Sequence, residues 1–153
     1  MAKPCKKTFL KNGYNTLYPN LFDSDVILSL FNQGQHWTLL SVFPKEKRMV
    51  FLDSLFKGST AETTFSRYCN FLTCATEKGI NWSEWQFLII PEEHIPQQLN
   101  LNDCGMFLIK SAEHIAFGIP LDFQQDDIVD FRYSTGKSKQ RSKRTSFTFK
   151  PSK

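Results

Sequence analysis

Apolar residues in this chain fall into short runs separated by polar breaks, and the spacing inside the runs changes along the sequence. Val26-Ile27-Leu28-Ser29-Leu30-Phe31 is a run of strand length, closed by Asn32-Gln33-Gly34-Gln35. Residues 36–43 and 48–53 flank the polar loop Pro44-Lys45-Glu46-Lys47 and predict a β-hairpin. Pairing Phe43 with Arg48 sets Thr38 opposite Asp53 and His36 opposite Leu55. His36 and Asp53 then share a face as diagonal neighbours, about 7–8 Å apart at Cα. A slip of one residue would send them to opposite faces. Both faces of the hairpin are largely apolar, which predicts a central place in a covered sheet.

From residue 59 the spacing becomes helical. Ser59-Thr60-Ala61-Glu62 has the form of a capping box, Ala61, Phe65, Tyr68, Leu72 and Ala75 recur on one face, and Lys78-Gly79 closes the helix. Trp85-Gln86-Phe87-Leu88-Ile89-Ile90 is a further strand, stopped by Pro91. A loop over 92–102 leads to a second helix that starts at Cys104, runs apolar to Phe117 and ends at Gly118 and Pro120. A last, short helix is expected around residues 124–133. Strand, hairpin, helix, strand, helix, short helix is the order of an α+β domain, with helices packed on a small mixed sheet.

A chain of 153 residues with 41% apolar content is enough for one domain with its own core. The net charge of +4 divides unevenly. Residues 134–153 hold seven Lys/Arg and no acid, so residues 1–133 carry 12 basic against 15 acidic side chains. The body is mildly acidic and lacks the basic face of a nucleic-acid-binding domain. Three stretches follow: a Lys-rich leader over 1–16, a folded domain over 17–133, and a basic, Ser-rich tail over 134–153 that is expected to be disordered. Within the tail, residues 137–144 suit a nuclear-import signal, a nucleic-acid contact or a solvated segment; nucleic acid is not the expected partner.

Four cysteines show no C-x-x-C spacing and no Cys/His cluster, so neither a disulfide framework nor a metal site is expected, and no cofactor. Cys69 and Cys74 read as packing residues inside the first helix. No apolar run reaches membrane-spanning length and the first residues lack a secretory signal. The expectation is an intracellular protein of the nucleus or cytoplasm, with no membrane partner.

Candidate chemistry centres on Cys104. A thiol in the first turn of a helix sits against the positive end of the helix dipole, which favours the nucleophilic thiolate. Asn102 or Asp103 can cap that helix. Gly105 leaves room for a substrate backbone, and Gln98 offers a side-chain N–H₂ to a developing oxyanion. Singly, each residue has a plainer reading: Cys104 as a small buried hydrophobe, His36 as a strand-end residue, Asp53 as a turn former. Together they supply a thiol, an imidazole, an orienting carboxylate and an oxyanion donor, the set a cysteine protease needs. His94, in a polar loop, and His114, mid-helix, read as structural.

Three motifs carry a resemblance: His36-Trp37-x-Leu39, Leu52-Asp53-Ser54, and Pro96-Gln97-Gln98-Leu99-Asn100-x-x-Asp103-Cys104-Gly105-Met106-Phe107. They resemble the ubiquitin-like-protein-specific cysteine proteases, the sentrin/SUMO-specific group related to the adenovirus protease. Asp25-Val26-Ile27-Leu28, Pro120-Leu121-x-Phe123-x-Gln125 and Phe131-Arg132 add to it, over roughly residues 17–133. The resemblance implies a papain-like, adenain-like fold. In it His36 is similar to the general base, Asp53 to its orienting acid, Cys104 to the nucleophile and Gln98 to the oxyanion residue, with Trp37 lining a narrow groove. It also implies cleavage after the C-terminal Gly-Gly of a modifier, most often SUMO, in precursor maturation or in removal from lysine. Family members carry a further N-terminal lobe that this chain is expected to lack in large part. A catalytically inactive remnant that grips a modifier or an adaptor is therefore the alternative expectation.

Overall fold

A computed structural model describes residues 21–55, 60–76 and 79–142, with the backbone alone at 75–76 and 135–142. The leader over 1–16 and the last residues, 143–153, lie outside the described part. Four strands, β1 (Ile27–Asn32), β2 (Trp37–Phe43), β3 (Arg48–Leu52) and β4 (Gln86–Ile89), form one sheet in chain order. The first three are antiparallel, and β4 runs parallel to β3. Two parallel neighbours need a crossover between them, supplied here by helix α1 (Ala61–Thr76).

The hairpin closes in the expected register, Phe43 opposite Arg48. Its loop is one 3-10 turn, Pro44–Glu46, ended by Lys47 at φ 50°, whose N–H returns to the Pro44 carbonyl. Successive residues of β2 point to opposite faces, and Leu39 and Leu40 are both fully buried. Leu40 joins Val42, Met49 and Phe51 against Phe65, Tyr68 and Leu72 of α1. Leu39 joins Leu52 and Ile95 against Leu108 of helix α2 (Cys104–Phe117). Each such leucine, fully buried, contributes about 1.5–3 kcal/mol. Covered on both faces, β2 holds its ends in place, and the candidate site stands at one of them.

A third helix, α3 (Gln125–Ser142), packs on α2 through Phe107, Phe123 and Ile128. It extends to Ser142, beyond the end near residue 133 that the sequence pattern marks. The first half of the expected disordered tail is thus helical. Lys137, Lys139, Gln140 and Arg141 are good helix formers, and cations suit the negative end of a helix dipole.

Among the described residues strand β4 is an edge, with Phe87, Leu88 and Ile89 partly exposed. Trp85 ends the 3-10 turn that precedes it. Of the capping box ahead of α1, Ser59 lies outside the described residues, while the Thr60 carbonyl accepts the Thr64 N–H and hydroxyl. The Lys78 expected at the end of α1 also lies outside them. Gly118 ends α2 in the left-handed conformation at φ 64°. His114 is structural, with Nδ1 2.5 Å from the Pro120 carbonyl and its ring edge-on to Phe123.

Cys69 is a half-buried free thiol whose pKa burial pushes up to about 11. Cys74 is disulfide-bonded, a departure from the packing role its helical position suggests. Among the described residues no group of acidic, Cys and His side chains could hold a metal ion, and no helix is long and apolar enough to cross a membrane.

Candidate active site

The turn before β2 brings His36 to the mouth of the sheet. Gly34, at φ 87°, reverses the chain, and the Gln33 N–H closes on the His36 carbonyl at 2.8 Å. Asp53 follows the last residue of β3. The imidazole Nε2 lies 2.6 Å from Asp53 Oδ1, and the Leu55 N–H donates to the same oxygen at 2.9 Å. Asp53 is 5% exposed. A carboxylate only accepts, so in the neutral imidazole Nε2 carries the proton and Nδ1 is the acceptor. Here the shared face that the hairpin register implies becomes a direct hydrogen bond.

The loop ahead of α2 is tied to the end of β3. The Gln98 N–H donates to the Ser54 carbonyl at 2.9 Å, the Ser54 hydroxyl donates to Gln98 Oε1 at 2.8 Å, and Gln97 Nε2 reaches the Asp53 carbonyl at 3.4 Å. Gln98 Nε2 donates to the Asn100 carbonyl at 2.5 Å. Gln98 is buried, and so are Asp103 and Cys104.

Asp103 is the N-cap of α2 through its carbonyl, which accepts the N–H groups of Met106 and Phe107. Its side chain makes no cap bond. The carboxylate instead accepts Asn100 Nδ2 at 2.7 Å and Gln125 Nε2 at 2.8 Å on one oxygen and the Arg132 guanidinium on the other. Three elements meet there: the loop, the start of α2 and the first turns of α3. Asn100, Gln125 and Arg132 are residues to which the motif reading assigns no role. Their signal is position alone, since the last two fall in the stretch after α2 that carries part of the family pattern.

The Asn100 hydrogen bond holds the Asp103 carboxyl below its ordinary value, helped by Gln125 and Arg132 and opposed by burial. A carboxyl depressed in the folded state stabilises the fold above its unfolded pKa, and that contribution is lost as the pH falls through the folded one. Urea unfolding between pH 6 and 2 is expected to show a loss of stability that begins below the ordinary value of 3.8 and is flattened in Asp103→Asn. Near pH 7, Asp103→Ala is expected to cost about 1–3 kcal/mol, since it strands two amide donors. Arg132→Met, at a guanidinium more than half exposed, is expected to cost about 0.2–1 kcal/mol.

Trp37, the first residue of β2, is 39% exposed. At Gly105 a Cβ would meet no atom within 4 Å, and the backbone is not left-handed. Nothing inside the described chain requires glycine there, so the open approach over α2 faces outward. A cavity of about 350 Å³ lies beside the His36–Asp53 pair, bounded also by Leu55, Thr60 and Leu101. Leu99 and Leu101, on the loop that carries Gln98, are largely exposed.

The structure therefore joins His36 to Asp53 directly and Gln98 to the residue after Asp53. Cys104 opens the helix packed on β2. Among the described residues no hydrogen bond joins the Cys104 thiol to the imidazole, and such bonds often tighten only when substrate is bound.

With this geometry in hand, similarity to known proteins is informative. Residues 6–145 match the model of the Ulp1 protease family, C-terminal catalytic domain. The chain is 32% identical over 115 residues to human sentrin-specific protease 2, a match that covers 74% of this chain and 20% of that protein. It thus spans about a fifth of that relative's length. The catalytic domain of the Ulp1-like SUMO protease of Chaetomium thermophilum superposes with TM-score 0.61 at 27% identity, over 72% of this chain and 43% of the other. The C-terminal protease domain of Ulp1, solved in complex with Smt3, the yeast ortholog of SUMO, shares the fold with TM-score 0.59 at 24% identity, over 79% of this chain and 57% of that one.

Proposed function

The chain belongs to the Ulp1 protease family, and on that premise we propose that it is a thiol protease cleaving after the C-terminal Gly-Gly of a ubiquitin-like modifier, SUMO first. The observation that carries the reading is the 2.6 Å contact between His36 Nε2 and Oδ1 of buried Asp53, which leaves Nδ1 free to take a thiol proton.

In the proposed reaction the Cys104 thiol gives its proton to His36 Nδ1, and the sulfur attacks the carbonyl carbon of the terminal glycine. A C–S bond forms while the carbonyl electrons move to oxygen. Gln98 Nε2 and a backbone N–H at the start of α2 stabilise that oxyanion. Collapse breaks the C–N bond, and the leaving amine, from a lysine or a C-terminal extension, takes the proton from the imidazolium. A water deprotonated by Nδ1 then hydrolyses the thioester and regenerates the thiol. The Asp53 carboxylate holds the imidazole in the required tautomer.

Selection of a diglycine tail is supported by exposed Trp37 and by the open approach at Gly105. Glycines at the end of the substrate would let its backbone lie close to the start of α2, where a bulkier residue would be held off. The likeness to the Ulp1-like SUMO protease of Chaetomium thermophilum, at 27% identity, favours SUMO as the modifier. Such a substrate places the work in the nucleus or cytoplasm. Incubation with precursor SUMO and precursor ubiquitin tests the reading: the SUMO extension should be released at the diglycine. Release from ubiquitin alone would overturn the assignment of SUMO, and release from neither would overturn the activity.

A second reading, in which the groove grips a modifier without cleaving it, is motivated by the match to only part of the relatives' length. Thiol reactivity separates the two. At pH 7, Cys69 with a pKa of about 11 holds about one thiolate in 10⁴. Alkylation mapped by peptide mass spectrometry is expected to modify Cys104 at least tenfold faster than Cys69. Equal rates would select the binding role.

A further inference from the structure

Gln98 is held at both ends of its carboxamide, and the two holds are chemically unequal. The Asn100 carbonyl, 2.5 Å from Nε2, can only accept. Turning the amide over would set oxygen against oxygen. With Nε2 fixed on that side, Oε1 must face Ser54, whose hydroxyl donates to it at 2.8 Å. One Nε2 hydrogen goes to Asn100 and one is left for a substrate oxygen. The final torsion of a glutamine is broad and nearly two-fold, so an amide held at one end keeps considerable freedom. Ser54 also accepts the Gln98 backbone N–H at 2.9 Å, so residue 54 holds residue 98 by main chain and side chain together.

We propose that Ser54 is the positioning residue of the oxyanion donor, its hydroxyl fixing which end of the Gln98 carboxamide meets the reacting carbonyl. The inference rests on the reading of Gln98 as that donor. Consecutive residues at the end of β3 then serve both arms of the site: Asp53 sets the imidazole tautomer and Ser54 sets the amide. Among the described residues Ser54 makes no hydrogen bond to the thiol or the imidazole, and its hydroxyl goes to Gln98. Its absence would leave a buried Oε1 without a donor and let the amide rotate away from its working angle.

The test is a double-mutant cycle read in kcat and KM on a SUMO precursor. Ser54→Ala should lower kcat about 3- to 10-fold, the worth of one neutral hydrogen bond, with KM nearly unchanged. Ser54→Thr, which keeps the hydroxyl, should restore the rate. In a Gln98→Ala background, Ser54→Ala should cost nothing more, because the group it positions is gone. Cys104 alkylation, which develops no oxyanion, should proceed at the same rate in every variant. Ser54→Cys, similar in size with a weak donor, gives the same comparison if the alanine variant folds poorly. A wild-type kcat in Ser54→Ala beside a slow Gln98→Ala, or losses that multiply in the double variant, would overturn the role of Ser54 alone. A wild-type rate in Gln98→Ala would overturn the oxyanion assignment together with this inference.

Discussion

Cys104→Ala is expected to remove all measurable turnover of a SUMO precursor while leaving the fold in place. The thiol is the only group in the proposed site that forms a bond to the substrate carbon, and alanine keeps the Cβ that packs at the start of α2. Cys104 is 6% exposed, and loss of one buried sulfur costs on the order of 1 kcal/mol, too little to unfold a domain of this size. The variant should therefore melt as a cooperative unit close to wild type and retain any affinity for the modifier. Turnover at the wild-type rate would mean that another residue supplies the nucleophile.

Gln98→Ala is expected to lower kcat about 10²–10³-fold, with KM little changed. The carboxamide is buried and fixed before substrate arrives, so no reorganisation is needed when charge develops on the oxygen. Its hydrogen bond strengthens only as the carbonyl becomes an oxyanion, which puts the effect in the chemical step rather than in binding. The same variant should alkylate at Cys104 as fast as wild type. A matching rise in KM would show that Gln98 binds the ground state, and a loss of alkylation would show that it shapes the nucleophile instead.

The parts of this molecule that were readable in advance depend on local pattern. The hairpin register follows from two apolar runs around a Pro-bearing polar loop, and that register alone places His36 and Asp53 on one face; the 2.6 Å contact is its direct consequence. The start of α2 is equally local, with Asn and Asp ahead of a long apolar run and Gly118 after it. Asp103 shows where the pattern stops. An aspartate before a helix reads as a side-chain cap, yet its carboxylate goes to Asn100, Gln125 and Arg132, and the capping is left to its carbonyl. Ser54 and Gln98 meet across 44 positions of sequence, a pairing no periodicity announces. The apolar run of β4 marks a strand, and only the tertiary arrangement makes it an edge among the described residues. The extension of α3 to Ser142 was hidden for another reason: Lys, Gln and Arg favour helices and solvated tails alike.

The role assigned to Cys104 is tested most directly by trapping it. The full chain is incubated with SUMO and with ubiquitin, each bearing an electrophile in place of the C-terminal carboxylate, and the adduct is located by mass spectrometry. The account predicts one equivalent of SUMO on Cys104, none on Cys69, and little or no ubiquitin. A folded protein that forms no adduct with SUMO, or forms one at another cysteine, would contradict it.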